Sequence, residues 1–161
     1  MATGRIYVEG NIASGKSTLL RALETEGLLT VPEPVQEFGE ELRSFYEKRT
    51  RHACVALEEK VACLCYASQR QSNTRAPAIV YERSCFTASE IFSCAYLEAG
   101  LLEEANVRRL RGGKDEPGSR VYHQLDPEIC CERAQARARP EEESMPTRET
   151  IYSTCRARTH A

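Results

Sequence analysis

Near the start of the chain, Gly10-Asn11-Ile12-Ala13-Ser14-Gly15-Lys16-Ser17 carries the spacing of a phosphate-binding loop. In that arrangement successive backbone N–H groups cradle phosphate oxygens, the lysine reaches them, and the closing hydroxyl binds Mg²⁺. Thr18 continues the phosphate-facing run. A glycine-rich turn that packs a helix on a strand is the structural alternative. Context favours the chemical reading: Arg5 to Glu9 alternates like a strand, Lys16 to Glu26 reads as a helix, and the loop falls at that helix's positive end.

Further residues supply what a phosphate site needs. Glu33 stands between Pro32 and Pro34 after a short apolar run, in a loop at the carboxyl end of a strand, where parallel sheets bind their ligands. A carboxylate there can accept the proton of a hydroxyl that attacks a phosphoryl group. Glu82-Arg83-Ser84 ends another strand on the same side, offering an acid for Mg²⁺ and an arginine for the oxygens of a transferring phosphate. Arg133, Arg137 and Arg139 follow, the first two spaced to share one helix face. Taken singly, each has a plain alternative: an exposed loop carboxylate, a strand-end ion pair, and a solvated, salt-bridged helix.

The elements that must hold these residues alternate. After the first strand and helix, Leu28 to Val31 reads as a second strand, and Val35 to Gln71 as two helices with a break near Arg49 to Arg51. Ala78 to Glu82 is a third strand, Thr87 to Leu110 is helical with a break at Gly100, and Arg111 to Ser119 is a loop. Arg120 to Gln124 is a fourth strand, and Pro127 opens a helix to about Arg139 that leads into an acidic, proline-flanked turn and a short last helix. Such alternation predicts an α/β fold with a parallel sheet between two layers of helices.

Composition sets the bounds. The 161 residues, 41% apolar and 29% charged, suit one domain over 1–161. A net charge of −2 with no dense Lys/Arg and aromatic stretch argues against nucleic-acid polymers as partners. The eight cysteines lie in apolar segments or side by side, without a Cys-x-x-Cys pair, and read as buried free thiols; scattered histidines leave no zinc spacing. The first strand follows Met1 too closely for a presequence, so a cytoplasmic location is expected, and no apolar run approaches a membrane span.

Taken in order, Ile6 to Leu20 (IYVEGNIASGKSTLL), Val31 to Val35 (VPEPV), Tyr81 to Ser84 (YERS), Ile91-Phe92, Val121 to Glu128 (VYHQLDPE) and the series Arg133 to Arg139 resemble the deoxynucleoside kinase family, which includes deoxycytidine, deoxyguanosine, mitochondrial thymidine and insect deoxynucleoside kinases. The compact length is similar to that of members encoded by large DNA viruses. The resemblance implies a P-loop kinase three-layer fold and ATP- and Mg²⁺-dependent phosphorylation of the 5′-hydroxyl of a deoxynucleoside in nucleotide salvage, by a protein whose relatives commonly dimerise. It implies Glu33 as general base, Ser17 and Glu82 at the metal, Arg83 on phosphate and substrate, and an arginine-rich lid at about 133–146 closing over ATP. It further implies that Tyr46 and Glu142 hold the sugar 3′-hydroxyl, that Phe92 stacks on the base, and that Phe38 replaces the family's tryptophan wall. Without the resemblance, Tyr46 and Phe92 would read as core aromatics on helix faces.

Several positions depart from the pattern. The family's base-reading glutamine falls at Glu59, or at Glu58 if the helix register slips by one, and an ionised Glu only accepts hydrogen bonds. Ala88 and Tyr66 lean toward thymidine or a broad pyrimidine range. The segment between Glu104 and Arg120 is shorter than the family's, and its last strand and helix have no counterpart before Ala161, which predicts a weakly clamped ATP base. The alternatives are a nucleoside monophosphate kinase of the thymidylate type and a non-catalytic nucleotide-binding module. The first calls for a basic group at the acceptor phosphate where this chain offers carboxylates.

Overall fold

The computed structural model describes residues 4–71, 76–111, 118–137 and 139. Strand β1 (Gly4–Gly10) leads through the glycine loop into α1 (Lys16–Thr25) and β2 (Leu29–Val31). A 3₁₀ turn (Val35–Glu37), α2 (Gly39–Lys48) and α3 (Arg51–Gln71) precede β3 (Ala78–Glu82). A π-helical segment (Thr87–Phe92), α4 (Ser93–Glu98) and α5 (Glu104–Leu110) connect to β4 (Ser119–His123) and α6 (Pro127–Arg137). The π segment replaces the plain helix that the sequence suggests from Thr87, and the turn and helix expected beyond Arg139 lie outside the described residues.

All strand pairs are parallel, in the order β2-β3-β1-β4. The period-two alternation of β1 and β3 sends their side chains to opposite faces. Val8 and Val80 pack with Leu20 of α1 on one face, while Tyr7, Ile79 and Tyr81 form a second buried cluster on the other. Central strands buried on both faces are the expected outcome of helical crossovers between parallel strands, whereas the edge strand β4 is exposed. The α/β fold read from the sequence is the one observed.

The largest apolar cluster lies beyond the sheet. It joins Phe38, Leu42, Phe45 and Tyr46 to Cys54 and Leu57 of α3, Tyr96 of α4 and Val107 of α5. Cys54, Leu57, Glu58, Val61 and Ala62 recur at the i, i+3, i+4 spacing of one helix face, and that face turns inward. The seven cysteines among the described residues are free thiols; Cys54, Cys85, Cys130 and Cys131 are buried as expected, whereas Cys63 lies exposed on the outer side of α3.

The strand order reverses at β1. Its chain leaves toward α1 while β3, its neighbour, leaves toward the π segment, so a crevice opens between the two loops at their carboxyl ends. The sequence puts both of its polar motifs there.

Candidate functional site

The loop after β1 owes its shape to two glycines. A Cβ on Gly10 would sit 2.7 Å from Ser14 Oγ and 2.8 Å from the carbonyl oxygen of His123 at the end of β4, so no other residue fits there without moving a strand. Gly15, at φ +105°, turns the chain into α1, where the N–H groups of Thr18 and Leu19 donate to its carbonyl at 3.0 Å. Lys16 is buried, and its ammonium donates to the carbonyl oxygens of Gly10 at 3.2 Å and Asn11 at 2.7 Å. The result is a concave run of backbone at a helix N-terminus, capped by a cation, which favours an anion.

Opposite the loop, Ser17 Oγ donates to Glu82 Oε1 at 2.8 Å, drawing the end of β3 against the start of α1. Mg²⁺ takes an octahedron of oxygens and is usually held by one or two protein groups together with phosphates. The Ser17 hydroxyl and the Glu82 carboxylate, two hard oxygen donors beside the phosphate loop, fit that role.

Arg83 follows at φ +69°, a left-handed conformation that costs a side chain-bearing residue about 1–2 kcal/mol. That backbone turn lets the guanidinium reach back: Nε donates to Glu33 Oε2 at 3.0 Å, Nη1 donates to the Gly10 carbonyl at 3.1 Å, and the cation lies 5.1 Å from the centre of the Phe92 ring. Burial works against its charge, but Glu33, Glu9 and Glu82 together more than offset that and hold the guanidinium above its ordinary value. Glu33 and Arg83 are both largely buried and form one ion pair at the crevice.

These groups line a cleft of about 1700 Å³. At one side stand the loop from Ile12 to Thr18 and the arginines Arg133, Arg137 and Arg139; elsewhere the wall is Glu33, Phe38, Tyr46, Glu82, Arg83 and Phe92. Gly10 and Asn11 form the loop's base against Lys16 and Arg83. Tyr46 and Phe38 are at once core aromatics and cleft wall, so the two readings of those positions coincide.

Two predicted positions, Glu59 and Tyr66, fall outside the cleft. Glu59 does not line the cleft: its carboxylate pairs with Arg109 of α5, both side chains about half exposed, because one residue along α3 rotates a side chain by a full quarter of the helix. Glu58, the other register, does line the cleft. Tyr66 packs against the main apolar cluster and does not line the cleft. Ala88 belongs to the π segment, its side chain outside what is described, and Glu142 lies outside the described residues altogether.

Two buried carboxyls stand apart from the phosphate groups, and of them only Glu9 escapes a motif-based reading. Glu9, in β1, is fully buried and accepts the backbone N–H of Ser84 at 3.0 Å, the Ser84 hydroxyl and the Thr87 hydroxyl. It thereby pins the turn that carries Arg83 to the strand that carries the phosphate loop. Glu58, 4% exposed, accepts the Ser93 hydroxyl at 3.3 Å, and burial pushes its carboxyl up to about 8. The phenol of Tyr96 beside it is pushed well up by burial as well, with the charges of Tyr46 and Glu58 acting in the same sense.

A family model described as deoxynucleoside kinase matches residues 6–150. Among curated proteins, the chain is 27% identical to deoxycytidine kinase 2 of Gallus gallus over 181 residues, covering 88% of this chain and 67% of that protein. It is 28% identical to deoxycytidine kinase of Homo sapiens over 182 residues, covering 88% and 69%. A protein of fowlpox virus (strain NVSL) is 27% identical over 151 residues, covering 88% and 64%. The chain thus spans about two thirds of the length of these relatives.

Proposed function

Since the chain belongs to the deoxynucleoside kinase family, enzymes that transfer a phosphoryl group from ATP to a nucleoside, we propose that it phosphorylates the 5′-hydroxyl of a pyrimidine deoxynucleoside, thymidine or a broad pyrimidine range, with Mg²⁺ and in nucleotide salvage. The observation that carries this is the Glu33–Arg83 ion pair, set between the phosphate loop and an aromatic wall.

In this reading the nucleoside enters the apolar side of the cleft and the ATP phosphates lie on the loop under Arg133, Arg137 and Arg139. Glu33 accepts the proton of the 5′-hydroxyl as its oxygen attacks. Arg83, fixed at both Nε and Nη1, and Lys16 meet the charge that develops on the transferring oxygens without having to reorganise. Ser17 and Glu82 hold Mg²⁺, which neutralises phosphate charge when bound. Phe92 offers a ring face for the base and Phe38 a second wall; Tyr46 and Glu142 are assigned the sugar 3′-hydroxyl.

The pyrimidine preference draws support from the names of the relatives, all deoxycytidine kinases where a substrate is printed, and from Ala88 in the π segment. The same reading takes residues 1–161 as one domain, acting in the cytoplasm on small molecules, with a helix-mediated homodimer as the form to test by sedimentation. No helix among the described residues is long and apolar enough to cross a membrane.

The deciding experiment is transfer of labelled γ-phosphate from MgATP to thymidine, deoxycytidine, deoxyadenosine and deoxyguanosine in parallel. Transfer that favours the first two is the expected result. Transfer confined to purine nucleosides would overturn the pyrimidine reading, and none to any nucleoside from a folded sample would overturn the activity.

A further inference from the structure

We propose that Glu58 reads the base of the bound nucleoside as a neutral carboxylic acid, and that removing its proton exchanges a pyrimidine edge for a guanine edge. The proposal rests on the kinase reading above and adds to it the protonation state of the carboxyl that stands where the resemblance implies a glutamine.

The geometry comes first. Glu58 lines the cleft beside Leu57, Phe92 and Tyr96, in the most apolar part of its wall. One oxygen, Oε2, accepts the Ser93 hydroxyl; Oε1 has no hydrogen-bond partner among the described residues. A ligand that meets this oxygen in the cleft makes a hydrogen bond that none of the described residues supplies. Of the carboxyls lining the cleft, Glu33 is tied to Arg83 and Glu82 to Ser17, whereas Glu58 stands beside the Phe92 ring and Tyr96.

Its surroundings favour the neutral form. Cys54 on the same helix, Ser93 and Tyr96 of α4, Tyr46 of α2 and Arg83 after β3 are the groups that face this corner. Burial pushes both the Cys54 thiol and the Tyr96 phenol up, so neither carries charge near neutrality. Arg83, the one cation among them, is engaged by Glu33 and the Gly10 carbonyl. Burial, with no cation set against it, pushes the Glu58 carboxyl up to about 8.

The donor and acceptor pattern then follows. A neutral carboxylic acid presents an O–H donor on Oε1 and, on Oε2, a carbonyl with a second lone pair beside the Ser93 contact. That pair matches N3 and the exocyclic group of cytosine, an acceptor beside a donor, and equally the reversed pair of thymine. Once ionised, the group accepts only. It then fails against either pyrimidine and matches guanine, whose N1–H and amino group are adjacent donors. An amide would keep the neutral pattern at every pH.

The test is competition between deoxycytidine, thymidine and deoxyguanosine for MgATP-dependent phosphorylation, measured as kcat/KM from about pH 6.5 to 9. The ratio of pyrimidine to deoxyguanosine should fall by about tenfold per pH unit above the Glu58 midpoint. Glu58→Gln should hold that ratio high and flat. A wild-type ratio that stays constant across this range while transfer continues overturns the proposal and leaves the kinase reading standing; no transfer to any nucleoside at any pH sinks both. The wild-type profile suffices if the variant does not fold. Independently, the infrared spectrum of wild type at pH 6.5 should show the carbonyl stretch of a protonated carboxyl that Glu58→Gln lacks, and a spectrum without it refutes the neutral form.

Discussion

Replacing Glu58 with glutamine also perturbs a quantity that needs no substrate, the dependence of folding stability on pH. In the unfolded chain the carboxyl titrates at its ordinary 4.5, and in the folded chain at about 8. Between those values the folded chain holds a proton that the unfolded chain has released, so stability falls as pH rises through this window. Each pH unit in it costs about 1.4 kcal/mol, which sums to roughly 5 kcal/mol by the upper end and then levels off. A domain of this size has a net stability on the order of 5–15 kcal/mol, so the loss is a large share of the total. Glutamine has the same shape, keeps an acceptor for Ser93 and does not titrate. Urea unfolding of both proteins at each pH unit from about 4 to 9 should therefore give curves that diverge by about 1.4 kcal/mol per unit between the two values and run parallel outside them, the variant growing relatively more stable. A difference that stays constant across that range would show that the folded carboxyl titrates like a solvated one, and would refute the burial argument at its root.

The catalytic pair and the loop make separate predictions. Glu33→Gln should lower kcat by about 10²–10⁴ while binding of a fluorescent ATP analogue stays within a few fold of wild type, since the amide cannot take the hydroxyl proton but leaves the loop intact; comparable residual turnover would remove Glu33 from the mechanism. Glu9→Ala strips the acceptors from Ser84 and Thr87 and should lower stability in urea by about 3 kcal/mol or more. An unchanged midpoint would mean that the turn carrying Arg83 is held by something else. Gly10→Ala should cost about 1–3 kcal/mol and weaken ATP binding, because the new methyl meets the His123 carbonyl, a backbone atom that cannot swing aside.

Much of the fold is legible because its signals are local. The strand-loop-helix at Gly10 to Ser17 and the strand ending at Glu82 depend on period and on glycine and proline positions, and both occur where the pattern puts them. Element ends drift by a residue where nothing local fixes them, as at β4, which begins at Ser119 where the pattern suggests Arg120. The choice between Glu58 and Glu59 is also legible: Cys54, Leu57 and Ala62, with the half-buried Val61, define a stripe that contains 58 and excludes 59. What the pattern could not supply is three-dimensional. Glu9 looks like one more outward-facing polar residue at the end of an alternating strand, and only the pairing of β1 with β3 brings Ser84 and Thr87 to its side chain. Arg83 carries no sequence mark of its left-handed backbone, because that conformation is imposed by the contacts that hold its neighbours.

Those contacts suggest how the site divides its carboxyl groups. Glu33, Glu9 and Glu82 all act on Arg83, so the charge of each has a cation to set against it, at the crevice where phosphate is handled. Glu58 is withdrawn from that set onto the apolar wall, with a single hydroxyl for company. A carboxyl in the first environment is suited to accepting a proton or sharing a metal; one in the second is suited to donating a hydrogen bond. The same side chain type therefore serves both halves of the cleft, and the division rests on where Arg83 points. That direction is fixed by Glu9 through the turn after β3. A chain that lost the Glu9 clamp would free Arg83 from Glu33, and the transfer side of the cleft would lose its order before the apolar wall did.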